Sequence, residues 1–147
     1  MGKKRIVKKT GKSGAGKNSA LKSRMLSHGS KKKMDLGILH VQSTYNNTRV
    51  SLTNQQGDLV SSLSSGALGF KGAKKGTPFA AAKAGELIGE MAKNMGVRSV
   101  DVVVKGVGAG RESSIRAFVS YGIHINSIKD MTPIPHNGPR AKKPRRV

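Results

Sequence analysis

Val100-Asp-Val-Val-Val-Lys-Gly-Val-Gly-Ala-Gly-Arg-Glu112 decides the fold of this chain. Its first half is a short, almost continuous apolar run, the pattern of a strand covered on both faces. Three alternating glycines then carry the chain into a helix expected from about Arg111 to Tyr121, with Ile115, Phe118 and Val119 facing inward and Gly122 as its stop. Ile123, Ile125 and Ile128 supply a further strand. Upstream, Thr77-Pro78 is a helix start, Thr as N-cap and Pro at the first helical position. Ala80, Ala84, Leu87, Ile88, Met91 and Met95 recur at helical spacing as its buried stripe, and Gly96 ends it. Gly85 and Gly89 weaken that helix, which points to close approach of a neighbouring backbone.

Before the helix the period is two. Leu36-Gly-Ile-Leu-His-Val41 reads as one strand, Val50 and Leu52 alternate in a second, and Leu59 to Leu63 form a third. Asn46-Asn47 turns the chain between the first two, since Asn tolerates positive φ, and Gly57-Asp58 turns it between the next two. The order βββαβαβ predicts an α/β fold: a mixed sheet with helices packed on it through right-handed crossovers. There is no internal repeat.

Charge is distributed unevenly around this pattern. The first 33 residues carry twelve Lys or Arg and no acid, and the last eight carry Arg140, Lys142, Lys143, Arg145 and Arg146. Residues 34 to 135 hold eleven basic and seven acidic side chains, so about 17 of the 21 net positive charges lie in two arms. The expected organisation is a flexible N-terminal extension (1–33), one α/β domain (34–132) and a Pro-rich C-terminal tail (133–147). Charge this dense repels itself unless a polyanion neutralises it, and nucleic acid is the leading candidate. Three Phe, two Tyr and no Trp leave the core to aliphatic residues, and the absence of cysteine excludes disulfides and thiolate metal sites. The four histidines lack ligand spacing, no apolar run is long enough for a membrane span, and the N-terminus has neither a secretory h-region nor an amphipathic, Arg-rich transit signature.

Gly11-Lys-Ser-Gly-Ala-Gly-Lys-Asn18 approaches a nucleotide-binding P-loop, but position 18 lacks the magnesium-binding hydroxyl and no buried strand precedes it. It reads as a basic arm. In Lys105 to Glu112 the alternating glycines allow backbone N–H groups to converge on an anion at a helix N-terminus, with Lys105 and Arg111 suited to phosphate. The same glycines equally serve a tight strand-to-helix turn, and both readings stand. Phe70-Lys-Gly-Ala-Lys-Lys-Gly-Thr77 is a second basic loop entering a helix, its Phe70 either core or a stacking platform. The tail from Pro133 holds four of the five prolines and stays extended, able to thread a crevice. Among the seven acids only Glu86 and Glu90 share a helix face, and two-metal chemistry needs several converging carboxylates. No enzyme, cofactor or small-molecule substrate is indicated.

Read in order, Tyr45-Asn-Asn-Thr48, Gly66-Ala-Leu-Gly-Phe-Lys-Gly72, Thr77-Pro-Phe-Ala-Ala81, Lys105 to Glu112 and Asp130-Met-Thr-Pro-Ile-Pro-His-Asn-Gly138 resemble the bacterial-type family of small ribosomal subunit protein eleven, from about Gly37 to Val147. The resemblance implies a three-layer α/β/α domain with a five-stranded mixed sheet. It also implies a structural role on the platform of the small subunit, bound to its ribosomal RNA near the messenger RNA exit and beside neighbouring platform proteins. The resemblance also implies messenger RNA near the exit as a candidate further partner. By analogy the RNA contacts are Asn46, Asn47 and Thr48; Lys71, Gly72, Lys74, Lys75 and Thr77; Lys105, Gly106, Gly108, Gly110 and Arg111; and His136, Asn137, Gly138, Arg140, Lys142, Lys143, Arg145 and Arg146. Three departures stand out. Val107 and Ala109 replace the prolines usual in the glycine loop, which leaves that loop less rigid. Pro139 stands where Cys is common, and the N-terminal arm is long for the family. The expected location is a cytoplasmic ribosome, with an organellar ribosome as the alternative. The competing classes are a DNA-binding architectural protein and a nucleotide-hydrolysing enzyme using Lys17.

Overall fold

A computed structural model describes residues 33–144. The N-terminal extension, the Gly11–Asn18 motif with Lys17, and Arg145 and Arg146 lie outside the described residues. The period-two segments become β1 (Leu36–Ser43), β2 (Thr48–Thr53) and β3 (Leu59–Ser64), an antiparallel meander. Its register aligns Val41 with Val50 and Val50 with Leu63, so three aliphatic side chains share one face. Helix α1 (Pro78–Asn94), strand β4 (Ser99–Lys105), helix α2 (Gly110–Val119) and strand β5 (His124–Asp130) follow. The sheet order is β3-β2-β1-β4-β5, with β4 parallel to both β1 and β5. The α/β class, the five-stranded mixed sheet and the element order agree with the sequence reading.

The crossovers determine where the helices sit. β3 runs parallel to β1 after two reversals, so α1 and α2 each return the chain to a parallel strand, and both step the same way across the sheet. Right-handed connections then place both helices on the same face. They pack directly on each other: a Cβ at Gly85 would collide with the carbonyl oxygen of Ser114, and one at Gly89 would stand 2.8 Å from Tyr121 Cδ2. These are the close approaches that the two glycines announce. Under the pair lies one core of Leu39, Val41, Val50, Leu52, Ile88, Met91, Val100, Val102 and Phe118. Among the described residues the layers are therefore a sheet and a helix pair, and the second sheet face of the implied α/β/α arrangement is open to solvent.

That layering changes the reading of β4. Val100, Val102 and Val104 are buried, whereas Asp101 and Val103 are only half-buried. The strand is central, flanked by β1 and β5, but covered by helix on one side only. Its β-branched side chains suit a pleated, half-shielded surface, which is why the run looks doubly buried in sequence. Two further details differ. Val119 ends α2 and is 37% exposed, because the chain leaves the helix there for the turn that Gly122 closes at φ +83°. The Asn46-Asn47 turn uses no positive φ; Thr44 closes it, its amide donating to the Asn47 carbonyl (2.9 Å) and its hydroxyl accepting from Asn47 N (3.1 Å).

Candidate nucleic-acid interface

Parallel strands β1, β4 and β5 end at the same pole of the sheet, and the chain segments leaving them meet there. At the tip of β1, Ser43 is fully buried and organises the first junction. Its Oγ accepts from the Gly110 amide at 3.2 Å and lies 3.1 Å from Thr48 Oγ1. A strand hydroxyl thus takes the role of the side-chain cap that α2 lacks, since its N-cap residue is Ala109. The Gly108 amide donates to the Ser43 carbonyl (3.0 Å), and the Gly106 amide to Thr132 Oγ1 (3.1 Å).

These three glycines face inward. Cβ atoms on Gly106, Gly108 or Gly110 would collide with Ser43 O, Thr44 O and Thr48 Oγ1 respectively, while Val107 and Ala109 between them point outward. The glycines therefore serve a tight strand-to-helix turn: three loop amides are spent inside the protein rather than aimed at an anion. The loop is fixed by packing and hydrogen bonds without the prolines that the sequence lacks.

A second junction ties the Phe70–Thr77 loop to the β1–β2 turn. Buried Ser65 Oγ lies 2.6 Å from Asn47 Oδ1 and 2.7 Å from the Lys75 carbonyl, donating to one at a time, and accepts from Thr48 N at 3.2 Å. Asn47 Oδ1 also accepts from the Gly66 amide (3.2 Å). A side chain on Gly76 would collide with the Tyr45 carbonyl, so only glycine allows the loop this close. Lys74 and Lys75 ride on a short 3-10 helix, Gly72–Gly76, which extended Lys71 precedes and whose end Thr77 closes. The Thr77 hydroxyl donates to Lys74 O (2.8 Å) and accepts from Ala80 N (3.3 Å), capping α1 as its sequence position predicts.

The third junction roots the tail. The Asp130 carboxylate accepts from the Thr132 hydroxyl (2.6 Å) and amide (2.9 Å) and pairs with Arg111, whose guanidinium also donates to the Gly106 carbonyl. The Thr132 hydroxyl bond, then Arg111, then the Thr132 amide lower the Asp130 pKa to about 2. The remaining acid here, Glu112 in the first turn of α2, is exposed.

Three of the four segments singled out in the sequence thus converge on one pole, and the fourth departs from it. Asn46, Lys71, Gly72, Lys74 and Lys105 face solvent, as do His136, Asn137, Gly138, Arg140, Lys142 and Lys143 along the irregular tail. Asn47, Lys75, Thr77 and Arg111 are half-buried and hold the loops, and Thr48 is fully buried. Phe70 is neither core nor free platform: half-buried, it stands edge-on to exposed Phe79 at 6.1 Å between centroids. Sequence reading missed Ser43 and Ser65, which do most of the joining; serines are equally ordinary in strands and turns, and nothing in their neighbours distinguishes them. At the sheet, His40 Nε2 lies 3.2 Å from Thr53 Oγ1, and burial followed by the nearby Lys105 lowers its pKa, favouring neutral imidazole.

Fold and pole together define a small α/β protein with a hydrogen-bonded, cation-studded end. Residues 37–146 match the profile of the family described as Ribosomal protein S11, and the chain belongs to that family. It is similar to the small ribosomal subunit protein uS11c of Cyanidioschyzon merolae (strain NIES-3377 / 10D), 55% identical over 111 residues that cover 76% of this chain and 92% of that protein. Membership assigns it a structural role in the small ribosomal subunit, and so in translation.

Proposed function

We propose that the protein binds small-subunit ribosomal RNA with this pole and its tail, on the platform near the messenger RNA exit, and helps fold and hold that region beside neighbouring platform proteins. The convergence of the Asn46–Thr48 turn, the Lys71–Thr77 loop, the Lys105–Arg111 loop and the root of the His136–Arg146 tail carries this reading. Rigid loops place the exposed lysines at fixed positions, and fixed positions suit folded RNA, which is recognised by shape and backbone. Affinity arises from counterion release as Lys and Arg neutralise phosphates. The arms at 1–33 and 133–147 extend the contact beyond the 34–132 domain. The protein acts by binding rather than by turnover. The match to a protein designated uS11c favours an organellar ribosome over a cytoplasmic one as host.

The test is sedimentation of a lysate of the source cells at moderate and high salt, followed by binding of the purified chain to small-subunit ribosomal RNA and to duplex DNA. Near-stoichiometric co-migration with the small subunit and preference for the RNA are expected. Absence from that peak, with equal or tighter DNA binding, would overturn the proposal.

A further inference from the structure

The pole is not the only cationic surface. Because both helices lie on one side, the opposite sheet face presents its own rows of side chains, fixed by the strand register. Nearest the pole runs Ser64, Arg49, Gln42 and Lys105; the next row holds Ser62, Ser51, His40, Val103 and Lys129. Gln42, Arg49, Ser62, Lys105 and Lys129 are exposed. Asp101 is the one acid on this face among the described residues, it lies farther from the pole, and Ser127 donates to it at 2.6 Å. The helix layer contrasts with this: Lys83, Lys93 and Arg116 are matched there by Glu86, Glu90 and Glu112. Positive charge therefore continues from the pole onto the open face and not onto the helices.

We infer that the open sheet face is a second RNA-binding surface, taking the sugar–phosphate backbone of a double-stranded ribosomal RNA segment that runs on from the pole. The inference rests on the proposed ribosomal RNA binding and adds to it. Duplex backbone is the occupant that the chemistry selects. None of the five Phe and Tyr residues of the chain lies on the face, since Tyr45, Phe70, Phe79, Phe118 and Tyr121 are in turns, loops or helices. Of the two histidines on it, His40 is half-buried against Thr53 and His124 stands at the end farthest from the pole. The face therefore offers, in the rows nearest the pole, no exposed ring on which unpaired bases could stack. It offers hydroxyl, amide and cationic groups instead, matched to the 2′-hydroxyls and phosphates across the wide minor groove of an A-form helix. Five strands at a spacing of ~4.8 Å give a surface about 20 Å across, broad enough to seat a duplex.

Since the chain contains no cysteine, single-cysteine variants of the full chain can each carry a short photo-crosslinker. Ser62→Cys samples the open face, Ala73→Cys the pole, and Asn94→Cys the end of α1 on the helix layer; all three positions are exposed. On small-subunit ribosomal RNA, crosslinks from positions 62 and 73 but not 94 are expected, those from 62 falling in base-paired segments. RNA crosslinks from 73 with none from 62, crosslinks from 62 to a ribosomal protein in assembled subunits, or crosslinks from 62 confined to unpaired nucleotides would each overturn the inference while leaving the pole intact. RNA crosslinks from none of the three would overturn the proposed function itself. As a second readout, Arg49→Ala with Lys129→Ala is expected to lower the salt slope of RNA binding by about 1.4–1.8; an unchanged slope counts against the face.

Discussion

Two triple substitutions remove the same charge from different places. Lys71, Lys74 and Lys105 stand free on the pole, whereas Lys83, Lys93 and Arg116 belong to the charge-balanced helix layer, where Lys83 already pairs with Glu86 at 2.7 Å. Each phosphate neutralised contributes about 0.7–0.9 to the slope of log K against log salt, so replacing the three pole lysines by Ala should flatten that slope by about 2–2.7 units. Near 0.1 M salt the same terms amount to roughly 100- to 500-fold in affinity. The helix-layer triple should change the slope by less than about half a unit, because exposed charges beyond the ~10 Å Debye length are largely screened. Neither triple should cost much stability, since exposed substitutions away from caps and cores stay within about 0.5 kcal/mol each. The assay is filter binding of the full chain to small-subunit ribosomal RNA across a salt series, with thermal unfolding as the check on folding. Equal loss from both triples would mean that total charge governs binding and would refute the assignment of the pole.

Gly85→Ala should destabilise by about 1–3 kcal/mol, overpacking against the backbone of Ser114 outweighing the ~1 kcal/mol gained in helix propensity. Gly89→Ala should also destabilise but by less than Gly85→Ala, because its nearest obstacle is the Tyr121 ring at 2.8 Å, with the Phe118 carbonyl oxygen at 3.1 Å, rather than a backbone oxygen in direct collision; urea unfolding that ranks the two the other way would refute the packing argument. Ser65→Ala strips the buried Thr48 amide of its acceptor and should cost about 1–3 kcal/mol, with no loss expected if the amide finds another partner. Asp130 titrates in the folded state near 2, below its ordinary value, so its contribution to stability is present above about pH 4 and lost as pH falls through the folded value. Asp130→Asn should accordingly lose stability relative to the parent at neutral pH and converge with it towards pH 2; a constant difference across that range would show that the carboxylate is not the cause.

The fold was legible wherever one residue type has one physical reason to be where it is. Thr77-Pro78 caps α1 and Gly96 ends it, while Gly85 and Gly89 mark the helix crossing, because no other residues satisfy those positions as well. The number of faces covered on β4 was not legible: Val103 is as apolar as Val102, and only the hand of the two crossovers reveals that its side is open. At the site, the sequence marks the lysines but not the scaffold beneath them. Gly106, Gly108 and Gly110 are consistent with phosphate approach or tight packing, and the choice is made by Ser43, which is 67 residues from Gly110. Contacts of that range leave no local signature.

The same long-range contacts govern when the pole comes into being as the chain is synthesised. Ser43 waits for Gly110, the Gly106 amide for Thr132, and the inner edge of β1 for β4. Until Ser99–Lys105 has emerged, β1 is an unpaired edge and the lysine loop has already appeared with nothing fixing its geometry relative to Lys105. Non-local pairings form late, and bare strand edges are where incomplete chains associate wrongly. A nascent chain halted before β4 would present most of the protein's positive charge without its shape, adhering to any RNA nearby while recognising none.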